Sequence, residues 1–155
     1  MKFTSALTTL FLTAASASPL KPRAIPPFNV TDFSAGTVPH SVQNYYGFNV
    51  QTSPGSGFAK CTANIQAYQA MMSVPVTACD SAGVYFNFTI TGGQGAELDV
   101  WWRFTGHGEL KGTYQIPEDQ LPFEGEGTGV HQVYSGPVNF TITDVVEEAP
   151  TDNMA

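Results

Sequence analysis

Residues 83–90 read GVYFNFTI, and residues 137–145, PVNFTITDV, carry the same code. In the first, Val84, Phe86, Phe88 and Ile90 alternate with Tyr85, Asn87 and Thr89; in the second, Val138, Phe140 and Ile142 alternate with Asn139, Thr141 and Thr143. A strand sends successive side chains to opposite faces, so period-two alternation predicts a half-buried strand with one wet face. The pentapeptide NFTIT occurs in both, at 87–91 and 139–143, but the preceding residues are GVYF in one and SGPV in the other. A repeat unit carries its turns along with it. These are two strands, not a duplication.

The same code runs through the chain. FNVTDF at 28–33 offers Phe28, Val30 and Phe33 to one side, and NYYGFNVQ at 44–51 offers Tyr46, Phe48 and Val50. AELDVWWRF at 96–104 turns Leu98, Val100, Trp102 and Phe104 inward and leaves Asp99, Trp101 and Arg103 opposite. GFAKCTANI at 57–65, GELKGTYQI at 108–116 and GVHQVY at 129–134 are further strand candidates. Glycine-rich turns punctuate them: SPGSG, TGGQG, TGHG, EGEGTG and SGP. Only NIQAYQAMMSV at 64–74 suggests a short helix, limited by Pro75. Many short strands at this spacing predict an all-β fold, an antiparallel β-sandwich or barrel in a single domain.

The start of the chain points outside the cell. MKFTSALTTLFLTAASAS has one cation, Lys2, then a short apolar run and an Ala15-Ser16-Ala17 cleavage pattern. That is the form of a secretory signal peptide, too short to span a membrane. We expect a signal peptide over 1–17, a solvated leader over 18–27 with a second trimming possible after Arg23, a β domain over 28–145 and an acidic tail over 146–155. The formal net charge of −7 argues against nucleic acid and anionic membranes as partners. In an oxidising compartment an isolated pair of cysteines, Cys61 and Cys79, is most simply one disulfide. Closing an 18-residue loop stabilises by about 3 kcal/mol in the chain-entropy account. Three N-x-T acceptors, at Asn29, Asn87 and Asn139, all fall on the polar side of their strands, where a glycan can be carried.

The order of FNVTDFSAGTVPHSVQNYYGFNV at 28–50, a cysteine-bracketed segment, ACDSAGVYFNFTI at 78–90 and VYSGPVNFTITDV at 133–145 resembles the Alternaria major allergen family, the AA1-like domain of small secreted fungal proteins. The resemblance implies a secreted β-barrel acting as an allergen, or as an effector or elicitor in contact with a plant host. It implies no catalytic residues and no cofactor. It also makes Cys61–Cys79 one family disulfide, while the partners of a second disulfide and the cysteine that links some members into dimers are absent here.

Residue chemistry gives little sign of an enzyme. Glu118, Asp119, Glu124 and Glu126 cluster in a Gly- and Pro-rich segment that reads as a solvated loop, without the regular spacing of a calcium loop. His40, His107 and His131 lack metal-ligand spacing, and TGGQG lacks the lysine of a phosphate loop. We therefore expect no metal site. The candidate binding surface is Asp99, Trp101 and Arg103, because an outward tryptophan beside an arginine is the composition of a contact hot spot for protein or sugar. The plainer alternative is that this face is covered too, with Arg103 stacked on the indole. Three functions follow: a secreted non-enzymatic interaction protein, a barrel that binds a small apolar or aromatic ligand (suggested by 11 phenylalanines and 6 tyrosines), or a glycan-binding module or glycosidase.

Overall fold

A computed structural model of the chain describes residues 24–105 and 108–149. The expected signal peptide, most of the leader, His107 and the last six residues lie outside the described residues.

Among the described residues there are eleven strands: β1 Phe28–Thr37, β2 Gln43–Gln51, β3 Ala59–Gln66, β4 Val74–Ala78, β5 Val84–Ile90, β6 Ala96–Thr105, β7 Gly108–Ile116, β8 Phe123–Glu124, β9 His131–Gln132, β10 Phe140–Ile142 and β11 Asp144–Glu148. Every pairing is antiparallel. Sheet A runs β10-β1-β2-β3, sheet B runs β11-β7-β6-β5-β4, and β8 pairs with β9 alone. The two large sheets pack face to face. One seam between them is crossed by the chain itself, which leaves sheet A at Ile142 and enters sheet B at Asp144. The other is closed by the Cys61–Cys79 disulfide, which ties β3 to the residue just after β4.

The alternation predicts the inner faces well. Phe28, Val30, Phe33, Tyr46, Phe48, Val50, Val84, Phe86, Phe88, Leu98, Val100 and Ile142 are all buried. The step from Val30 to Phe33 spans three residues because β1 carries a bulge between Thr31 and Ser34, with Asp32 in the left-handed region at φ 57°. The extra residue returns Phe33, not Asp32, to the core. There Phe33 lies 4.7 Å from Tyr134, 5.6 Å from Phe140, 5.8 Å from Phe48 and 6.5 Å from Phe88, so aromatic contacts join both sheets. The aromatic richness of the sequence is mostly this filled core. Close approach of the sheets has its own requirement at Gly112, where a Cβ would stand 2.7 Å from the Phe28 ring.

Four expectations need correction. Residues 64–74 contain no helix: β3 runs on to Gln66, and a loop then buries Met71 before β4. Val138 is not in a strand and is 55% exposed, because β10 begins only at Phe140. The acidic tail does not begin at 146, since β11 pairs with β7 as far as Glu148 opposite Glu109. Finally, the inward stripe of β6 outruns the core: Trp102 is only partly buried and Phe104 is 40% exposed.

Candidate functional site

The two faces of β6 hold the side chains of interest. On its outer face, antiparallel register places side chains abreast across sheet B. Asn87, Asp99, Thr113 and Asp144 make one row, and Tyr85, Trp101, Lys111 and Val146 the next. Arg103 and Glu109 follow, with Glu148 beyond them.

These rows satisfy themselves. Lys111 Nζ lies 3.1 Å from Asp99 Oδ2, and the Thr113 hydroxyl donates to Asp99 Oδ1 at 2.6 Å. The same ammonium sits 5.4 Å from the centre of the Trp101 ring, and the Arg103 guanidinium 5.9 Å from that of Tyr85. Arg103 also donates to Glu109, whose side chain is fully buried, at 3.4 Å. Trp101 is left 6% exposed. Alternation places Trp101, Asp99 and Arg103 on the outer face, and of the two readings of that face the structure has the plainer one, a covered indole. Long neighbouring side chains cover it, and the cation over it is Lys111, not Arg103. Lysine and arginine stems lie along apolar surface while their charged heads stay in water, which is how a polar face hides an indole.

The inner face of the same strand ends in an open cleft of about 580 Å³. Trp102, Phe104 and Leu110 form one wall, Ala24, Ile25 and Pro26 with Ser53 and Pro54 the other, and Glu147 stands at the side. The Trp102 and Phe104 rings are 5.4 Å apart and inclined at 50°, forming an angled aromatic corner. Sequence reasoning missed this cleft because it treated both residues as core. The available signal was the length of the stripe. Four alternating apolar positions from Leu98 to Phe104 run along β6 to its last turn, whereas the opposing wall is loop residues flanking β1 and β2.

The three glycan acceptors differ. Asn29 and Asn139 are exposed, and their sequons lie on adjacent strands with Asn29 opposite Thr141. The Thr141 hydroxyl donates to Asn29 Oδ1, and Asn139 Oδ1 accepts from the Asp32 amide in the β1 bulge. Asn87 is half-buried on a central strand opposite Asp99, with its Oδ1 buried and lacking a hydrogen-bond partner among the described residues.

The remaining titratable residues among those described are scattered. Glu118, Asp119, Glu124 and Glu126 are exposed on and after a 3₁₀ turn at Glu118–Gln120. Among the described residues no three His, Cys, Asp or Glu side chains are placed to hold a metal. His40 and His131, far apart in sequence, both border Gly129, and His131 Nδ1 donates to the Gly129 carbonyl at 3.0 Å. Among the described residues no helix is long and apolar enough to cross a membrane. Burial pushes the Tyr46 phenol up to about 12, against smaller opposing effects of Asn44 and the Met72 carbonyl. Burial, with a smaller contribution from Tyr114, does the same to Tyr134.

No protein-family model matches the chain, and no curated protein matches it. Among solved structures, two crystal structures of an Alternaria alternata allergen are similar to it. One, of the major allergen Alt a 1, is 18% identical with a TM-score of 0.49, over 81% of this chain and 96% of that one. In the other, also of Alt a 1, identity is 14% at the same TM-score of 0.49, and the match covers 86% of this chain and 96% of that one, so the similarity spans most of both molecules.

Proposed function

We propose that this chain is a secreted, non-enzymatic interaction protein that holds a small apolar or aromatic ligand in the cleft at Trp102 and Phe104. The observation that carries the reading is the cleft itself. Its volume falls within the roughly 300–1,000 Å³ typical of small-molecule sites, and aromatic and aliphatic side chains dominate its walls. A disulfide in a chain with a signal-like start supports an extracellular setting. A non-catalytic role is supported by the outer face of sheet B, where Asp99 and Glu109 are engaged by Lys111 and Arg103 instead of facing a cleft.

A second reading, contact with a protein partner, draws on the opposite end of the fold. Val42, Tyr68, Met72 and Phe123 are each more than half exposed there. The turn bearing Val42 and the loop bearing Tyr68 and Met72 are joined by a bond from the Ala67 amide to the Val42 carbonyl, and Gln69 ties that loop to β9. An allergen, elicitor or effector role toward a plant host, as the sequence resemblance implies, would run through one of these two surfaces.

The test is a titration of the purified protein with a neutral solvatochromic dye such as Nile red, alongside a native mass spectrum of the protein as secreted. We expect a blue-shifted, saturable dye signal that Phe104→Ala weakens several-fold. No saturable signal and no bound mass would remove the ligand-binding reading and leave the protein-contact one.

A further inference from the structure

We infer that the cleft selects a small organic cation, an aromatic or aliphatic ammonium compound, through Glu147 and the Trp102–Phe104 corner. This rests on the cleft being a ligand site, as proposed above, and adds the charge of what enters it.

On the inner face of sheet B, the row Phe86, Val100, Gly112 and Val145 is apolar throughout and lies in the core. The next row toward the cleft is Val84, Trp102, Leu110 and Glu147. Val145 and Glu147 are two apart on β11 and so share a face. Glu147 therefore stands where the alternation of β11 calls for an apolar residue, abreast of Leu110 and one strand further from Trp102. The carboxylate has no ion-pair or hydrogen-bond partner among the described residues. Glu147 is exposed on the edge strand, as Asp144 and Glu148 of β11 are, and of these three carboxylates it is the one that lines the cleft.

The chemistry of the walls agrees with that charge. The Trp102 and Phe104 rings, inclined at 50° with centroids 5.4 Å apart, both line the cleft. A cation against the face of either ring gains from the ring quadrupole, and an apolar substituent on it can lie against Ile25, Pro26 and Leu110. An anion in the same place would meet both the quadrupole and the carboxylate with the wrong sign. With 13 acidic residues against 6 basic ones, the chain as a whole also attracts cations.

The test compares 2-naphthylmethylammonium with 2-naphthalenemethanol, two probes of nearly equal shape that differ in charge, added to the intact protein and to Glu147→Gln. Binding is followed by the indole N–H signals in two-dimensional NMR. Trp102 should shift, while Trp101, on the opposite face of the same strand, serves as internal reference. We expect the ammonium to bind about tenfold more tightly than the alcohol, and Glu147→Gln to reduce that preference to about twofold, leaving the aromatic contribution. Equal affinity for both probes in the unaltered protein would overturn the cation inference while leaving the cleft as a ligand site. An undiminished preference in Glu147→Gln would also overturn it, since the selecting charge would lie elsewhere. If neither probe shifts Trp102, the ligand-site reading fails with it.

Discussion

Trp101 and Trp102 are neighbours in sequence with opposite surroundings, and neither has the environment its position in the pattern suggests. Trp101 faces outward and is covered; Trp102 faces inward and borders an open cleft. Trp101→Ala should therefore destabilise by about 2–3 kcal/mol, the scale of removing a large buried side chain, as read by chemical denaturation. Lys111→Ala should cost less, about 1 kcal/mol, and should increase the solvent quenching of Trp101 fluorescence, because it uncovers one face of the ring and leaves Asp99 with only the Thr113 hydroxyl. A Trp101→Ala melt identical to the unaltered protein's would mean that the covering side chains stand away in solution. The outward indole was legible from alternation. That the face is covered was one of its two readings; the covering group was not legible, because it is Lys111 on the next strand and cross-strand neighbours are fixed by pairing, which a single sequence does not state. Two phenols give the alkaline behaviour. Tyr46 and Tyr134 are buried, bonded to the Met72 and Pro137 carbonyls, and hold their protons to about 12 against about 10 when unfolded. The native state thus binds more protons than the unfolded one between those values. Their contribution is complete below pH 10 and is lost as pH rises toward 12, on the order of 2 kcal/mol for Tyr46 and less for Tyr134, whose phenol is more screened by solvent. Denaturation midpoints measured from pH 9 to 12 should fall over that window, and the fall should be shallower in Tyr46→Phe. A midpoint flat to pH 12 would contradict this.

At the scale of strands, the sequence was most readable where a strand is long and has one wet face. β2 and β5 follow their alternation, and β6 does so at its inward positions up to Val100 although Asp99 opposite is buried too, so that eight buried residues, Tyr46, Phe48, Val50, Val84, Phe86, Phe88, Leu98 and Val100, were identifiable in advance. β10 was legible as well, since Phe140 and Ile142 pack inward as the alternation requires, although the strand starts two residues later than the pattern suggests. Legibility failed at β8 and was partial at β9, each two residues long, because so brief a stretch carries no period to detect. The apolar, methionine-bearing segment 64–74 mimicked a helix because it must bury Met71 from a loop, which needs apolar residues without any strand alternation. Strand environment also separates the three acceptor asparagines, which look alike in sequence. Asn29→Gln and Asn139→Gln, in protein secreted from a eukaryotic host, should each remove one glycan's mobility shift, since both side chains face solvent at the β1–β10 ladder. Asn87→Gln should leave mobility unchanged, because a glycan on a half-buried central-strand residue opposite Asp99 would have to displace that row. Should Asn87 prove to be the occupied acceptor, the outer face of sheet B would have to be open at this row.

For the whole molecule the decisive feature is how two sheets become one closed body. A sandwich has two seams, and here they are joined differently. At one, three consecutive residues carry the chain from β10 to β11, so that seam persists for as long as both ladders hold. At the other, β3 and β4 belong to different sheets, and the Cys61–Cys79 link holds them covalently, with Cys61 wholly buried on the inner face of β3. Backbone and side-chain bonds continue that seam: the Asp80 amide donates to the Lys60 carbonyl, and the Lys60 amide to Asp80 Oδ1 at 2.6 Å. The pair of cysteines predicted this constraint without revealing which edge it closes. Cys79→Ala should lower stability by about 2–5 kcal/mol, the usual cost of losing a native disulfide. The location of the loss is the sharper test. Hydrogen exchange should accelerate first in β4 and β3, the two edge strands at that seam, while β6 and β7 retain protection until global unfolding, because both are central in sheet B and flanked by partners on each side. Loosening of β10 and β11 instead would show that the chain crossover, not the disulfide, is the weaker seam. Uniform acceleration across every strand would show that the domain has no separable seam and unfolds from either edge as one unit.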